Sequence, residues 1–334
     1  MRVTNGMMSN RMLTNINRNL GLLDRYNTQG ATGKKIQMPS DDPIIASRSL
    51  KFRTMLSEAE QYAKNSSDAS SWIDSTETVF VNMNKILEDM KGLLVTASND
   101  TYTLEDRRKV LTEYMSLVEQ FEQELNSDYM GRSLFSGFKT DLKPIIKDDN
   151  GNSILNPQIY GPDGNGIAGQ YIEIQVGAGV TLGVNFLATD IYNQNDFNSL
   201  RGGQSGNTTE FQRILDFLAS DEYANMTEAE KLAWEKDPAN DVRGIMERTI
   251  RNLDEYQSKL ATNETNVGVR SKCVELVQTR LEDDKLNYKS LMSQNEDVNF
   301  AEVMMNFNTA NSAYLASLNV GMKITQVTLA DYLR

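Results

Sequence analysis

Mostly apolar side chains recur every seventh residue from Ile45 through Phe52, Ala59, Ser66, Ile73, Phe80 and Leu87 to Leu94. A second set follows three places later at Met55, Tyr62, Ala69, Thr76, Met83, Met90 and Ala97. A repeat of 3.5 residues keeps one seam turned toward one partner along a long helix, which is the requirement of a coiled coil or helical bundle. At about 1.5 Å per residue this segment alone reaches roughly 80 Å, more than a compact domain uses for one helix, so an elongated chain is expected. Val267, Val274, Leu281 and Tyr288 return to the same spacing near the other end.

Upstream, Leu13, Ile16, Leu20 and Leu23 form the single stripe of a first helix that should end near Gly30, with Gly33 close behind. In Met38-Pro39-Ser40-Asp41-Asp42-Pro43 the two prolines cannot share a helix interior. Asp42 as N-cap with Pro43 at the first helical position starts the long heptad helix well. That helix should stop near Ser98-Asn99-Asp100. A second, from about Leu104 to Asn126, should bury Val110, Leu111, Tyr114, Leu117, Val118, Phe121 and Leu125, making a helical hairpin. The glycine-punctuated Gly131-Arg132-Ser133-Leu134-Phe135-Ser136-Gly137-Phe138 reads as an extended exit from the bundle.

Between about 140 and 206 the chain turns rich in Gly, Asn and Asp. Tyr171 to Val176 alternates apolar with polar, and after Gly177-Ala178-Gly179 the run Val180, Leu182, Val184, Phe186 alternates again, the pattern of a β-hairpin. Short strands and polar turns suggest an insert that folds on its own outside the helices. The helical period returns at Phe211, Leu215 and Leu218, then at Val242, Met246, Thr249, Leu253, Tyr256 and Leu260. A last stripe, Phe300, Met304, Phe307, Leu315, Leu318, Met322, Leu329 and Leu333, runs almost to the final residue, where chains normally fray unless docked. The stripes of residues 3–30 and 300–333 have only each other as partners within one chain, and two helices bury little. Both are expected to order when neighbouring subunits cover them.

Charge narrows the partners. With 34 Lys and Arg against 46 Asp and Glu, spread along 334 residues, the net charge of −12 argues against nucleic acid and anionic membrane as partners. Histidine is absent, so the commonest general base and metal ligand are missing, and a single cysteine, Cys273, allows no disulfide within the chain. The N-terminal residues hold no apolar core of an ordinary signal peptide, and no run approaches the roughly 18 apolar residues of a membrane span.

Candidate chemistry is thin. Gly164-Asn165-Gly166-Ile167-Ala168-Gly169 has dinucleotide-loop spacing, but Gly161-Pro162-Asp163 precedes it where a strand is needed and a β pattern follows where a helix is needed, so it reads as a surface turn. Asp148-Asp149-Asn150-Gly151 has the residue types of a calcium loop, yet Ile146 falls on the first ligand position, leaving a solvated turn. Cys273, between apolar frame positions, reads as an inert half-buried thiol. Glu282-Asp283-Asp284 reads as a solvated helix face, and the 16 methionines as adaptable seam packing. No catalytic residue, cofactor or metal site is assigned.

Thr32-Gly33-Lys34-Lys35-Ile36 followed by Pro39-Ser40-Asp41-Asp42-Pro43-Ile44-Ile45-Ala46-Ser47 resembles the link between the first two helices of the flagellin superfamily. Gly131 to Thr140, with Gly131, Phe135 and Gly137, is similar to that family's exit from the bundle. Glu296-Asp297-Val298-Asn299-Phe300-Ala301-Glu302 and the closing Leu329-Ala330-Asp331-Tyr332-Leu333-Arg334 resemble its C-terminus. The likeness spans about residues 1–140 and 240–334. It implies a mainly α, elongated chain: paired terminal helices in an inner tube (1–40 and 296–334), a long antiparallel helical bundle (41–140 and 206–295), and a small β-containing outer insert (141–205). It implies a non-enzymatic, secreted part of the extracellular flagellum between hook and filament, exported unfolded by a type III apparatus with an export chaperone. Its implied neighbours are copies of itself in a ring, a hook-side junction protein and flagellin. The intersubunit core is then expected at Leu13, Ile16, Leu20, Leu23, Leu315, Leu318, Met322, Leu329 and Leu333. Filament flagellin itself, and an enzyme with its site in the insert, are the alternatives.

Overall fold

The computed structural model describes residues 5–99, 102–148, 153–161, 170–205, 208–235 and 240–332. The chain is mainly α. It opens with α1 (Asn5–Thr32), α2 (Pro43–Ala97) and α3 (Leu104–Leu125). The ladder of β1 (Asp128–Tyr129) and β2 (Arg132–Ser133) follows, then that of β3 (Ile145–Lys147) and β4 (Ser153–Leu155), and α4 (Pro157–Tyr160). Next come β5 (Glu173–Gly177) and β6 (Val180–Gly183), α5 (Ala188–Ile191), α6 (Gln194–Leu200), and β7 (Gln204–Ser205) with β8 (Thr208–Thr209). Short helices α7 (Glu210–Leu218), α8 (Asp221–Ala224) and α9 (Glu228–Glu235) lead to α10 (Val242–Glu296) and α11 (Phe300–Tyr332). Every sheet among the described residues is an antiparallel two-stranded ladder.

Local chemistry explains the helix starts. Asp42 Oδ1 accepts from the amides of Ile44 at 2.9 Å and Ile45 at 3.1 Å, so the two donors exposed behind Pro43 at the start of α2 are satisfied. Thr103 caps α3 by accepting from the Asp106 amide, and Glu105 and Asp106 in the first turn suit the positive end of the helix dipole. The hairpin expected around 171–186 is present as β5 and β6, turning at Gly179 (φ 72°) with its register shifted between Gln175 and Gly177.

The chain divides into two units, Met1–Gln61 with Leu281–Arg334, and Tyr62–Arg280. In the second unit the heptad frame of α2 is the core: Ala69, Ile73, Phe80, Met83, Leu87, Met90, Leu94 and Ala97 are each at most 2 % exposed. Leu111, Tyr114, Val118, Phe121 and Leu125 of α3 join it, and from α10 every seventh residue from Met246 through Leu253, Leu260 and Val267 to Val274 does too. The polar frame residue Thr76 is tolerated because its hydroxyl donates to Trp72 O at 2.9 Å, back onto its own helix.

Most buried apolar residues described in segment 141–205 share the core of the helices. Ile145, Leu155, Tyr160, Val184, Phe186, Ile191 and Tyr192 belong to the same cluster as the helices. Phe186 meets Phe80 edge-on at 5.7 Å, and Tyr192 packs on Phe121 at 5.6 Å. This overturns the expectation of an insert that folds by itself. Two-stranded ladders are marginal alone, so their apolar faces complete the helical seam. Cys273 is also corrected: it is exposed, because Val274 takes the seam position and the preceding residue lies about 100° round the helix. Of the expected solvated face, Glu282 and Asp283 are exposed and Asp284 is half-buried. The glycine turn at 164–169, and Asp149, Asn150 and Gly151 of the acidic turn, lie outside the described residues.

Candidate assembly interface

In the first unit α1 and α11 lie side by side, with Cα atoms approaching within 8 Å. Small residues allow that approach. On α11, Val303 and Ala310 are buried, Ser317 a further seven residues on is half-buried, and Gly321 is buried. A β-carbon on Gly30 would sit 3.8 Å from Val303 Cγ1, and one on Gly321 would overlap the terminal methyl of Met12.

Giving the seam to small residues leaves the large ones outside. Leu13 is 52 % exposed, Leu20 46 %, Leu315 52 %, Leu318 36 % and Met322 59 %, whereas Ile16 and Leu23 are half-buried. The stripe read from α1 is therefore split between a sheltered pair and an exposed pair. Leu333 lies outside the described residues, as does the side chain of Leu329. Met8, Arg11, Met12 and Asn15 of α1 and Ala316, Ser317 and Val320 of α11 line a groove of about 400 Å³. Covering the exposed part of each large side chain would contribute roughly 1 kcal/mol, so several together offer a driving force for association.

Where this helix pair meets the ends of α2 and α10, residues 33–42 and 297–299 are bonded to each other. Lys34 and Asp297 form an antiparallel bridge. The Lys35 amide donates to Glu296 O at 2.6 Å and the Val298 amide to Gly33 O at 3.0 Å. Glu296, the last residue of α10, is 2 % exposed. Its carboxylate accepts from Arg53 Nε at 3.1 Å and Nη2 at 2.9 Å, and from the Ser49 hydroxyl, with Lys34 Nζ at 3.2 Å. Hydrogen bonds from Arg53 hold this carboxyl down at about 2, helped by Ser49 and Lys34 against the opposing effect of burial. Asp297 takes the other side of Lys34 at 2.7 Å, which keeps its own carboxyl below the usual range and the Lys34 ammonium above its own.

In the Pro39-Ser40-Asp41-Asp42-Pro43 motif beside this corner, Pro39, Ser40 and Asp41 form an exposed turn, Asp42 is half-buried and Pro43 opens α2. Asp41 Oδ2 accepts from the amides of Met38 and Gln37, each at 3.0 Å, which lowers its pKa, and Asp42 caps α2. Gly131, Phe135 and Gly137 belong instead to the second unit. Gly131 turns β1 into β2 with φ 77°. Phe135 is buried against Phe80 at 5.9 Å. Gly137 takes φ 64° where a β-carbon would come within 2.7 Å of Gln170 Oε1. Sequence reasoning missed the Glu296 cluster. Its acid lies in a quoted motif, but its partners on α2, Arg53 and Ser49, are 243 and 247 residues away, beyond any periodic signal. Among the described residues no helix is long and apolar enough to cross a membrane.

Residues 3–140 match the bacterial flagellin N-terminal helical region. The chain is 23 % identical over 318 residues to flagellar hook-associated protein 3 of Salmonella typhimurium, covering 95 % of each. It is 25 % identical over 198 residues to a flagellin of Clostridium tyrobutyricum, covering 57 % of this chain and 52 % of that one. The solved flagellar hook associated protein-3 of Legionella pneumophila has the same fold, with a TM-score of 0.54 at 12 % identity, covering 73 % of this chain and 97 % of that one.

Proposed function

We propose that this chain, a member of the bacterial flagellin superfamily, is a structural subunit that joins the hook of the flagellum to its filament. One observation carries the reading. The similarity to flagellar hook-associated protein 3 of Salmonella typhimurium covers 95 % of both chains, whereas the flagellin match covers about half of that relative.

Assembly through the terminal helices rests on the exposed apolar residues of α1 and α11. In this reading residues 1–40 and 296–334 form the inner-tube part, with Leu13, Ile16, Leu20, Leu23, Leu315, Leu318, Met322, Leu329 and Leu333 in contacts with neighbouring copies. Residues 41–140 and 206–295 form the bundle, whose core segment 141–205 completes. The chain is exported unfolded through the type III apparatus with a chaperone, works outside the cell, and has no catalytic role.

Electron microscopy of a deletion strain is the test. Hooks without filaments, with flagellin shed into the medium, is the expected phenotype, and normal filaments would rule the reading out. Purified chain that grows long filaments by itself would mark it as filament flagellin instead.

A further inference from the structure

Two crossings, residues 33–42 and 297–299, connect the α1/α11 pair to α2 and α10, and the first contains Gly33 in the left-handed region at φ 69°. Unbraced, such crossings would swing. Here they are bridged by the two backbone hydrogen bonds at Lys35 and Val298; the Glu296 carboxylate ties the bridge to α2, and beside it the Asn295 side-chain amide donates to Ile45 O at 3.0 Å. Glu296 is the common node. It ends α10, while Lys34 comes from the first crossing and Ser49 and Arg53 from α2.

We propose that this corner is a releasable clamp. By gathering Lys34, Ser49 and Arg53, the Glu296 carboxylate sets the direction in which α1 and α11 leave the ends of α2 and α10, and neutralising it turns the corner into a hinge. The exposures of the partners make it releasable. Glu296 keeps only 3 % of its side chain in water, but Lys34 keeps 39 % and Arg53 61 %. When the carboxylate is lost, both cations can turn to solvent, so opening strands no buried charge. Asp297, with 44 % of its side chain exposed, contacts Lys34 from outside and does not reach α2. A junction subunit between two lattices has a use for a corner that is stiff yet can yield. The clamp itself is a property of the single chain and stands or falls independently of the flagellar reading.

The test uses the full chain carrying Cys273→Ser and nitroxide labels at Asn27 and Glu58, both exposed and both in the first unit. In the parent, electron-spin distance measurements should give one narrow distribution, with the Lys35 and Val298 amides protected from hydrogen exchange. Glu296→Gln should broaden the distribution and speed exchange at both amides by about tenfold or more, with overall helicity retained. Asp297→Asn should do much less. If Glu296→Gln reduces helicity, the double variant Lys34→Met, Arg53→Met replaces it with the same expected readouts. A parent distribution as broad as the variant's, no change on removing either side of the cluster, or an equal effect from Asp297→Asn would each overturn the clamp.

Discussion

Arg201 Nη2 lies 3.0 Å from both carboxylate oxygens of Glu122, and neither side chain exposes more than 9 % of its surface. Tyr192 also donates to Glu122 at 3.2 Å, and the guanidinium sits 4.8 Å from the centre of the Phe197 ring. This pair differs from the Glu296 cluster in one respect that decides its energetics: both of its members are out of water.

Removing one member of the Glu122–Arg201 pair therefore strands the other. Glu122→Gln should destabilise the second unit by about 3–5 kcal/mol, whereas Glu296→Gln, whose partners rehydrate, should cost about 1–2 kcal/mol. Urea unfolding of the two variants compares them directly. Equal losses would mean that partner exposure does not control the cost.

The α2 seam gives a second expectation. Phe80, fully buried between Phe135 and Phe186, and Leu87 one heptad on should each cost about 2–5 kcal/mol when truncated to Ala, through lost burial and the cavity left behind. Thermal unfolding against exposed Glu88→Ala checks it, and indistinguishable shifts would put the seam elsewhere.

Acid should act on the corner late. The folded carboxyl of Glu296 sits at about 2, below its ordinary 4.5, so its stabilising contribution is complete above about pH 4.5 and is lost as pH falls toward 2. Hydrogen exchange at Lys35 and Val298, expressed relative to the intrinsic amide rate at each pH, should accelerate in the parent down this range. In Glu296→Gln that particular rise should be missing, and its persistence would assign the effect to another group.

Replacing residues 142–200 with a Gly-Ser linker should abolish cooperative unfolding of the second unit, because Phe186, Tyr192 and Leu200 leave its core with the segment. A sharp melt that survives the replacement would show that the helices close their seam unaided.

Deleting residues 315–334 should leave the melting of the second unit almost unchanged and abolish filament attachment, since Leu315, Leu318 and Met322 go with it. In the purified chain, amides of residues 5–25 and 305–330 should exchange fast, because a two-helix pair is marginal on its own. Strong protection there would mean that assembly is not what orders these helices.

The sequence by itself determined the long elements. A sevenfold repeat requires a helix and names its buried face, which is why α2, α3 and the α10 seam stood in the pattern from Ile45 to Leu94, from Val110 to Leu125 and from Val267 to Leu281. Asp42 before Pro43 likewise marked a helix start from two adjacent residues. Both are local rules, set by backbone geometry within a turn or two. Three things were decided only in the tertiary structure. Segment 141–205 shares the helical core, small α11 residues rather than the leucines face α1, and Glu296 collects Lys34, Ser49 and Arg53. Each depends on which surfaces meet across hundreds of residues. Periodicity states that a face must be covered, but only packing decides what covers it and which side chains are left outside.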